Sequence, residues 1–319
     1  MGVMNLTLPT RTGKERYDPA SIFHNAWWLD AACPNRWDRS ELKRDGVVLA
    51  SHTYALEEKY GFRGLVTPQY TRTVDTTITP IGEKPTTIIQ NNTSILKSLI
   101  GTLPRHDYLT STLPPESIAP TAFRLLGYEQ QLEITFRNFN FDLKSVLRNI
   151  EQKTRNVIVS TGKRLHVSAH SDLDKYISLS IIQRRSREKN SYSALKRIFD
   201  ACLKYNSACI LTASDDSGLD HASAILVWDN MYLYYFASAR DVERGLGGAN
   251  SLLIWTACEM SVEKGLVFDV DSFSSSSQGV FLSKFGFEPC YRFRVHQRSA
   301  RYTAFEALKQ ALKGPFSTD

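Results

Sequence analysis

The chain has 319 residues and a formal net charge of +6, because 39 Lys and Arg outnumber 33 Asp and Glu. A hydrophobic content of 42% excludes a disordered chain and predicts one large or two medium globular domains. The five cysteines include no C-x-x-C pair, so we expect no disulfide framework and no thiolate zinc site. The longest apolar runs fall far below the ~20 residues of a membrane helix, so we expect no membrane span.

The N-terminal region predicts a loose arm followed by a helix. Residues 1–20 mix prolines with charges of both signs and lack the apolar core of a signal peptide, so we expect a cytoplasmic protein. Ser21 is placed to cap a helix over 22–33. Residues 45–72 then alternate as a meander of short strands, and the Thr- and Pro-rich residues 73–90 predict an extended loop.

The segment up to residue 140 continues with alternating strands and helices. The predicted elements are helix 93–101, strand 108–112, helix 119–126 and strand 131–136. This alternation after a meander predicts a mixed α/β half. Residues 141–205 are mostly helical, and within them the run 183–189 (QRRSREK) is strongly basic. That run is either a solvated surface or a patch that faces phosphate, since Arg side chains bind phosphate in a bidentate manner.

After residue 205 the pattern changes to strands. Three strands are predicted over 207–213, 221–228 and 231–239, joined by tight turns. A glycine-rich loop, a helix that starts near Asn250 and a short strand over 266–270 follow. We therefore expect an N-terminal arm at 1–20, a first half at 21–145 and a second half at 146–319. The fold class is α/β with mixed sheets.

The loop over 244–249 has the composition of an anion site. Its glycines, Gly245, Gly247 and Gly248, allow backbone N–H groups to point into one concavity, and the positive N-terminal end of the next helix faces the same place. The alternative is a plain strand-to-helix turn in which glycine only relieves crowding. The spacing alone does not separate the two interpretations.

The order of the motifs adds a resemblance. Arg244-x-x-Gly247-x-Ala249 matches the R/Q-x-x-G-x-G/A loop that holds the pyrophosphate of coenzyme A in the GNAT acetyltransferases, and residues 281–287 (FLSKFGF) resemble the closing Y-x-K-x-G-F signature of that fold. Over nearly its full length the chain is similar to the FemAB-like or CelD-like branch, in which two GNAT-type halves share one polypeptide. Three further stretches carry that similarity: 23–30 (FHNAWWLD), 155–158 (RNVI) and 268–271 (FDVD).

The resemblance implies an N-acyltransferase with an acyl-CoA as co-substrate and no metal. It implies that the donor binds at Arg244, Gly245, Gly247, Gly248, Ala249, Asn250 and Lys284. The implied acceptor is an amino group of a sugar or other cell-envelope or polysaccharide precursor, bound between the halves. Two alternatives stay open: an aminoacyl-tRNA donor, as in the Fem peptide-bridge enzymes, and a catalytically degenerate binding module. We expect no DNA partner.

The catalytic residues are predicted from chemistry as well as from the resemblance. Asp269 and Asp271 lie two apart on a short strand and so share one face, where one carboxylate can hold an amine and the like charge of its neighbour raises a pKa. Alternatively, they cap the Ser-rich loop that follows. The family often has a tyrosine as proton donor where this chain has Leu282. Tyr235, Tyr232, Tyr234, Ser283 or water are then the candidates.

Two histidine features complete the predictions. His166 and His170 are four residues apart, a spacing that binds zinc on a helix, but no HExxH motif accompanies them and a metal is not expected. His221 on a strand is expected to be structural rather than a base.

Overall fold

The computed structural model describes residues 21–184, 192–273 and 275–313. Within them the helices are a 3₁₀ turn (Ile22–His24), α1 (Ala26–Ala32), α2 (Pro85–Ile100), α3 (Ala119–Leu125), α4 (Leu143–Asn149), α5 (Gln152–Gly162), α6 (Leu173–Arg184), α7 (Ser193–Lys204), α8 (Ala249–Glu263), α9 (Ser276–Ser283) and α10 (Ala300–Lys313). The strands are β1 (Trp37–Arg44), β2 (Val47–Lys59), β3 (Phe62–Val66), β4 (Thr76–Ile78), β5 (Tyr108–Leu113), β6 (Glu129–Asn138), β7 (His166–His170), β8 (Ala208–Ser214), β9 (Asp220–Trp228), β10 (Tyr232–Arg240), β11 (Val267–Ser272) and β12 (Glu288–Arg298).

All of these strands belong to one sheet that runs through both halves of the chain. Its order is β1-β2-β3-β5-β12-β6-β11-β10-β9-β8-β7, with β4 paired to β2 beside this path. Two pairs among the described strands are parallel, β3 with β5 and β10 with β11, and each is connected through a helix. The sheet therefore contains the same strand–helix–strand unit twice, once in each half. This duplication is not visible as a sequence repeat.

The two halves expected from the sequence exchange their last strands in the sheet. β12, from the end of the chain, lies between β5 and β6, whereas β6 pairs with β11 of the second half. At the other end of the chain, the buried side chain of Trp28 packs in a core with residues of α6, α7 and β8 to β10. Strand pairing and core packing thus join the segments 21–145 and 146–319.

Helix α8 occupies the centre of the second half. It is buried on nearly every side, with Leu253, Ile254, Ala257 and Cys258 fully enclosed, as expected for a helix that packs across a sheet. It lies against β9, β10 and β11 and against helix α5. Its N-terminus is therefore fixed next to the end of β10, where the glycine-rich loop lies.

Most predicted elements are present, and the exceptions have local causes. The helix expected over 22–33 is interrupted at Asn25, whose extended backbone (φ −70°, ψ 139°) separates the 3₁₀ turn from α1. His166 and His170 lie on strand β7 rather than on a helix, so the helical zinc spacing considered for them is wrong. Strand β12 and helix α10 were not predicted from any sequence pattern.

Candidate active site

The glycine-rich loop is built by a buried carboxylate. Asp241 is 3% exposed, and its Oδ1 accepts hydrogen bonds from the N–H groups of Glu243 and Arg244 at 2.9 and 2.8 Å. These N–H groups lower the pKa of Asp241, although burial opposes them. Its carbonyl oxygen accepts a third bond from Gly245 N–H at 3.2 Å. Asp241 therefore holds the turn after β10 closed through three hydrogen bonds.

His221 on β9 fixes the next residue of the loop. Its Nδ1 accepts a hydrogen bond from Leu246 N–H at 2.9 Å, and its Nε2 lies 3.0 Å from Asp215 Oδ2. A ring nitrogen that accepts from an amide carries no proton, so Nε2 is the protonated nitrogen and donates to Asp215. His221 thus has both nitrogens engaged and is structural, in agreement with the sequence prediction.

The three loop glycines have different roles. A Cβ on Gly245 would collide with the carbonyl oxygen of Asp241, and a Cβ on Gly248 would collide with Thr161 Oγ1. Gly248 also has a φ of +98°, in the left-handed region that glycine favours. Gly247 has neither constraint, because no atom lies within 4 Å of the position that a Cβ would take there. The space next to Gly247 is open.

Four amide groups remain without an acceptor in this open space. The N–H groups of Gly247, Gly248, Asn250 and Ser251 have no hydrogen-bond acceptor among the described residues. All four residues line a cleft of about 520 Å³, named here the loop cleft. Because α8 has 15 residues, its N-terminal dipole adds positive potential at the same point. The turn is thus open to a cleft and suited to an anion.

Two of the predicted donor contacts lie elsewhere. The guanidinium of Arg244 bonds back to Asp241 Oδ2, with Nε and Nη2 both at 3.2 Å, and does not line the loop cleft. Lys284 at the end of α9 lies 3.9 Å from Glu151 and does not line it either. Ala249 and Asn250 do line the cleft, and so does Arg240, whose side chain is exposed.

β10 and β11 separate beside the loop cleft. Their parallel pairing ends at Tyr234 and Asp269, and β10 carries a bulge at Phe236 in its pairing with β9. The opening holds a second cavity of about 180 Å³, named here the splay cavity. It shares four lining residues with the loop cleft: Ser238, Asn250, Gln278 and Phe281. The two spaces therefore lie next to each other.

Tyr235 lines the splay cavity. Its hydroxyl donates a 2.7 Å hydrogen bond to Asn250 Oδ1, and burial holds the pKa of Tyr235 well above its usual range. The residue therefore remains a phenol with a proton to donate. Leu282, at the position of the usual family tyrosine, lines the same cavity with an apolar side chain. Tyr232 and Tyr234 do not line it and face a different pocket.

Arg72 reaches the splay from the first half. Its Nη2 donates a 2.6 Å hydrogen bond to the carbonyl oxygen of Tyr235, and its Nη1 lies 3.3 Å from Asp269 Oδ1. Its Nε lies 3.2 Å from Asp271 Oδ2 but without hydrogen-bond geometry. The guanidinium also stacks over the ring of Tyr234 at 5.3 Å. One side chain thus joins the two halves where the strands separate.

Asp269 is an anchor within this network, which corrects one sequence prediction. It is 3% exposed and accepts bonds from Arg137 Nε and Thr135 Oγ1, both at 2.7 Å. Burial acts to raise the pKa of Asp269, but the guanidinium groups of Arg137 and Arg72 outweigh it and the pKa is lowered. The expectation that a like charge raises this pKa is therefore wrong for Asp269.

Asp271 is the accessible carboxylate of the pair. Its side chain is 29% exposed, and Arg292 Nη2 donates to its Oδ1 at 3.1 Å, opposite Arg72. Its backbone has a φ of +71°, and its N–H donates to Asp269 Oδ1 at 2.9 Å. Both aspartates thus surround Arg72, but only Asp271 lines the splay cavity.

A third cavity lies between the halves. It has a volume of about 540 Å³, is named here the inter-half cavity, and shares Phe236 and Asp271 with the splay cavity. Its walls carry three carboxylates, three guanidiniums and three aromatic rings: Glu57, Glu133 and Asp271; Arg72, Arg292 and Arg294; Tyr70, Tyr108 and Phe236. The three cavities thus lie side by side, with the splay cavity between the loop cleft and the charged inter-half cavity.

The remaining sequence predictions concern the basic run 183–189, metal binding and membrane helices. Most of the basic run 183–189 lies outside the described residues, although Gln183 accepts a hydrogen bond from Arg240 N–H at the edge of the loop cleft. In the described ranges no group of three His, Cys, Asp or Glu side chains is arranged to hold a metal ion. Nor does any helix there combine the length and apolarity needed to cross a membrane.

Sequence reasoning missed Arg72 and Arg292. Each is an isolated basic residue, one in a Thr-rich loop and one on the unrecognised strand β12, with no local pattern to mark it. Only the three-dimensional exchange between the halves brings them to Asp271.

Comparison with solved structures identifies the architecture. No protein-family model and no curated protein matches the sequence. A structure of FemX superimposes with a TM-score of 0.59 at 11% identity, over 86% of this chain and 91% of that one. The C-terminal domain of a putative lysylphosphatidylglycerol synthetase from Agrobacterium fabrum gives 0.54 at 14%, over 90% of each chain. L-PGS from Bacillus licheniformis gives 0.54 at 11%, over 88% and 90%. The chain therefore has the FemX-like fold, a mixed α/β architecture.

Proposed function

We propose that the protein is an N-acyltransferase that moves an acyl group from an acyl-CoA to an amino group. The loop cleft holds the diphosphate of the donor, the splay cavity holds the thioester, and the inter-half cavity holds the acceptor. From the family resemblance, the acceptor is an amino group of a sugar or of another cell-envelope or polysaccharide precursor.

The observation that carries this proposal is the set of unpaired amides at residues 247, 248, 250 and 251. They point to an anion because backbone N–H groups and a helix dipole attract negative charge without the need for a basic side chain. Arg244 is occupied by Asp241, so in this account the amides do the binding and Arg240 adds charge at the rim. The position of the splay cavity next to the loop cleft supports a long donor with its reactive end away from its phosphates.

The chemistry follows from the order of the cavities. The amine attacks the thioester carbon and forms a C–N bond, and backbone N–H groups of β10 beside the bulge at Phe236 stabilise the oxyanion. The C–S bond then breaks and coenzyme A leaves as a thiolate. Asp271 binds the entering ammonium and accepts its proton, while the hydroxyl of Tyr235 protonates the thiolate. Arg72 and Asp269 position these groups without touching the reacting atoms.

The inter-half cavity supports an amine as acceptor. Glu57, Glu133 and Asp271 place three carboxylates on its wall, and the ring of Tyr108 lies beside them with its hydroxyl bonded to Glu57 at 2.5 Å. Carboxylates beside aromatic rings suit an ammonium group, by ion pairing and cation–π attraction. Arg294 pairs with Glu133, but its side chain is 44% exposed, so its guanidinium offers a further contact for an anionic part of the same molecule.

Aminoacyl transfer from tRNA is the second candidate. It is favoured by the similarity to FemX and to the C-terminal domain of a putative lysylphosphatidylglycerol synthetase. This reaction needs the same splay but a polyanionic donor, for which the run 183–189 supplies charge. It predicts binding that weakens steeply with salt, in contrast to a coenzyme A complex.

Transfer assays with matched donors test the proposal. The protein is incubated with acetyl-CoA, a medium-chain acyl-CoA or charged tRNA and a panel of amino sugars and diamines, and products are identified by mass spectrometry. Thiol release that depends on an amine supports the acyl-CoA reaction, and product from charged tRNA alone supports the second candidate. Coenzyme A binding without transfer to any amine would point to a degenerate binding module, and absence of both would overturn the proposal.

A further inference from the structure

A fourth cavity between the halves is not used by the proposed reaction. It has a volume of about 290 Å³ and lies between the 3₁₀ turn, the loop after β5 and the start of β10. We name it the Tyr232 pocket. Arg72 and Arg292 line both this pocket and the inter-half cavity and so form the wall between them. The pocket has no lining residue in common with the splay cavity.

The walls of the Tyr232 pocket are largely apolar. Three aromatic side chains and five aliphatic ones line it: Phe23, Tyr232 and Tyr234; Ile78, Pro114, Pro115, Ile118 and Met231. Rings and prolines offer rigid, flat contact surfaces. These walls favour a ligand that has a flat apolar body.

Several polar groups in the wall are already bonded within the protein. Tyr232 donates to Glu116 Oε1 at 3.0 Å, Tyr234 donates to Asp229 Oδ2 at 3.2 Å, and Arg137 pairs with both Glu116 and Asp269. A charged ligand would have to compete with these bonds, and disruption of the buried pair of Arg137 and Asp269 is costly. The pocket therefore selects against charged molecules.

The pocket is also accessible. Ile118 and Met231 line it and are 47% and 42% exposed, so they mark its mouth. Protein interiors are close-packed, and an apolar cavity of about 150 Å³ is already large enough to bind benzene. We propose that the Tyr232 pocket is a binding site for a small uncharged molecule or group with an aromatic or branched aliphatic body.

A ligand bound in the Tyr232 pocket would affect the proposed active site through residues in the pocket wall. A ligand there contacts Arg72, which holds the carbonyl of Tyr235, and Asp269, which accepts the N–H of Asp271. Two sources fit this chemistry: a separate effector, and the apolar part of the acceptor itself. Both require that binding to the pocket changes the reaction at the splay.

Binding is tested with indole, p-cresol and isoamyl alcohol as probes and with glycerol as the polar control. The signal of the Met231 methyl group, ¹³C-labelled and assigned by Met231→Leu, should shift on addition of the apolar probes and not of glycerol. Ile118→Trp fills the mouth and should weaken probe binding at least tenfold. Leu125→Trp, an exposed position on α3 that does not line the pocket, should leave it unchanged.

An unshifted Met231 signal at millimolar probe, or equal affinity in Ile118→Trp and wild type, would overturn the proposed site. If Ile118→Trp does not fold, the methyl shift in the wild-type protein still decides. This test is independent of the transferase proposal.

Enzyme kinetics distinguish a separate effector from the apolar part of the acceptor as the occupant of the pocket. This test rests on the proposed function. With acetyl-CoA as donor, an effector site predicts that indole changes the rate of transfer to ethanolamine. An acceptor subsite predicts that indole competes with phenethylamine and leaves ethanolamine unaffected. No effect on either amine would overturn the coupling to the splay, whereas absence of transfer to any amine would count against the proposed function alone.

Discussion

Arg72 Nη2 donates a 2.6 Å hydrogen bond to the carbonyl oxygen of Tyr235, 163 residues further along the chain. That carbonyl lies one residue beyond the last pair that β10 makes with β11. The first half of the protein thus satisfies the backbone of the second half at the point where the reaction is proposed to occur. The opening between the strands depends on both halves.

Arg72→Lys should reduce transfer while leaving donor binding intact. Lysine keeps the charge but loses the planar fork that contacts Tyr235 and Asp269 together. We expect kcat to fall by about 10- to 100-fold, in line with loss of a pre-organised group. The affinity for coenzyme A should stay within about threefold of wild type, because the loop amides are elsewhere. Arg164→Lys, at an exposed position on the surface, is the control. A folded Arg72→Lys protein with wild-type kcat would contradict the positioning role.

Tyr235→Phe should remove the proposed proton donor while the fold is retained. The change removes one hydroxyl and leaves Asn250 Oδ1 without that donor. We expect kcat to fall by about 10²-fold, the usual contribution of a general acid, with the loss largest for donors whose thiolate is the poorest leaving group. Tyr232→Phe removes a hydroxyl that faces the Tyr232 pocket and serves as the comparison. Equal kcat in both variants would remove Tyr235 from the mechanism.

Gly248→Ala and Gly247→Ala add the same methyl group in opposite environments. At Gly248 it meets Thr161 and Val157 and requires a φ of +98°, whereas at Gly247 nothing lies within 4 Å. We expect Gly248→Ala to lower the free energy of unfolding by about 1–3 kcal/mol and Gly247→Ala to change it by less than about 0.5 kcal/mol. Urea titration measures both, and equal stability of the two variants would show that this turn is not held as described.

Two buried histidines predict loss of stability in mild acid. Burial lowers the pKa of His24 and of His52 from 6.5 to about 4, and in both cases burial is the dominant cause. Between these pH values the unfolded chain binds more protons than the folded one. Stability is therefore full above pH 6.5 and falls as the pH drops towards 4, by up to about 3 kcal/mol for each histidine.

His52→Gln should flatten this acid-side slope, because glutamine does not titrate. Urea unfolding at intervals between pH 7 and 4.5 measures the slope, and His166→Gln on the exposed edge strand β7 is the control. His24 and His52 bond Thr73 and Thr76, on either side of Asp75 in the segment that carries Arg72, so transfer should weaken over the same pH interval. Identical slopes in His52→Gln and wild type would contradict the assignment.

The glycine-rich loop was predictable because its causes are local. Glycines, a helix start and the preceding strand lie within about twenty residues, and each leaves a pattern in the sequence. The order of strands β8, β9 and β10 was predictable for the same reason. The role of Arg244 was not, since the pairing of its side chain with Asp241 depends on the closed turn.

The remaining features depend on contacts between distant segments. The environment of Asp269 is set by Arg72 and Arg137, which lie 197 and 132 residues away, and no local pattern reveals them. Strand β7 is a sheet edge with no regular alternation of buried and exposed residues, so its period is hidden. The exchange of β6 and β12 is a choice among tertiary pairings that sequence periodicity does not determine.

Titration of coenzyme A into the wild-type protein, Gly247→Asp and Gly247→Asn tests the central claim most directly. The two side chains have nearly the same size and differ in charge, and both enter open space next to the unpaired amides. If these amides hold a diphosphate, Gly247→Asn should bind within about threefold of wild type. Gly247→Asp should lose at least about 30-fold, because a carboxylate ~5 Å from two phosphate charges costs several kcal/mol at low ionic strength. Equal binding by Gly247→Asp and Gly247→Asn, or no binding by the wild-type protein at millimolar coenzyme A, would contradict the account.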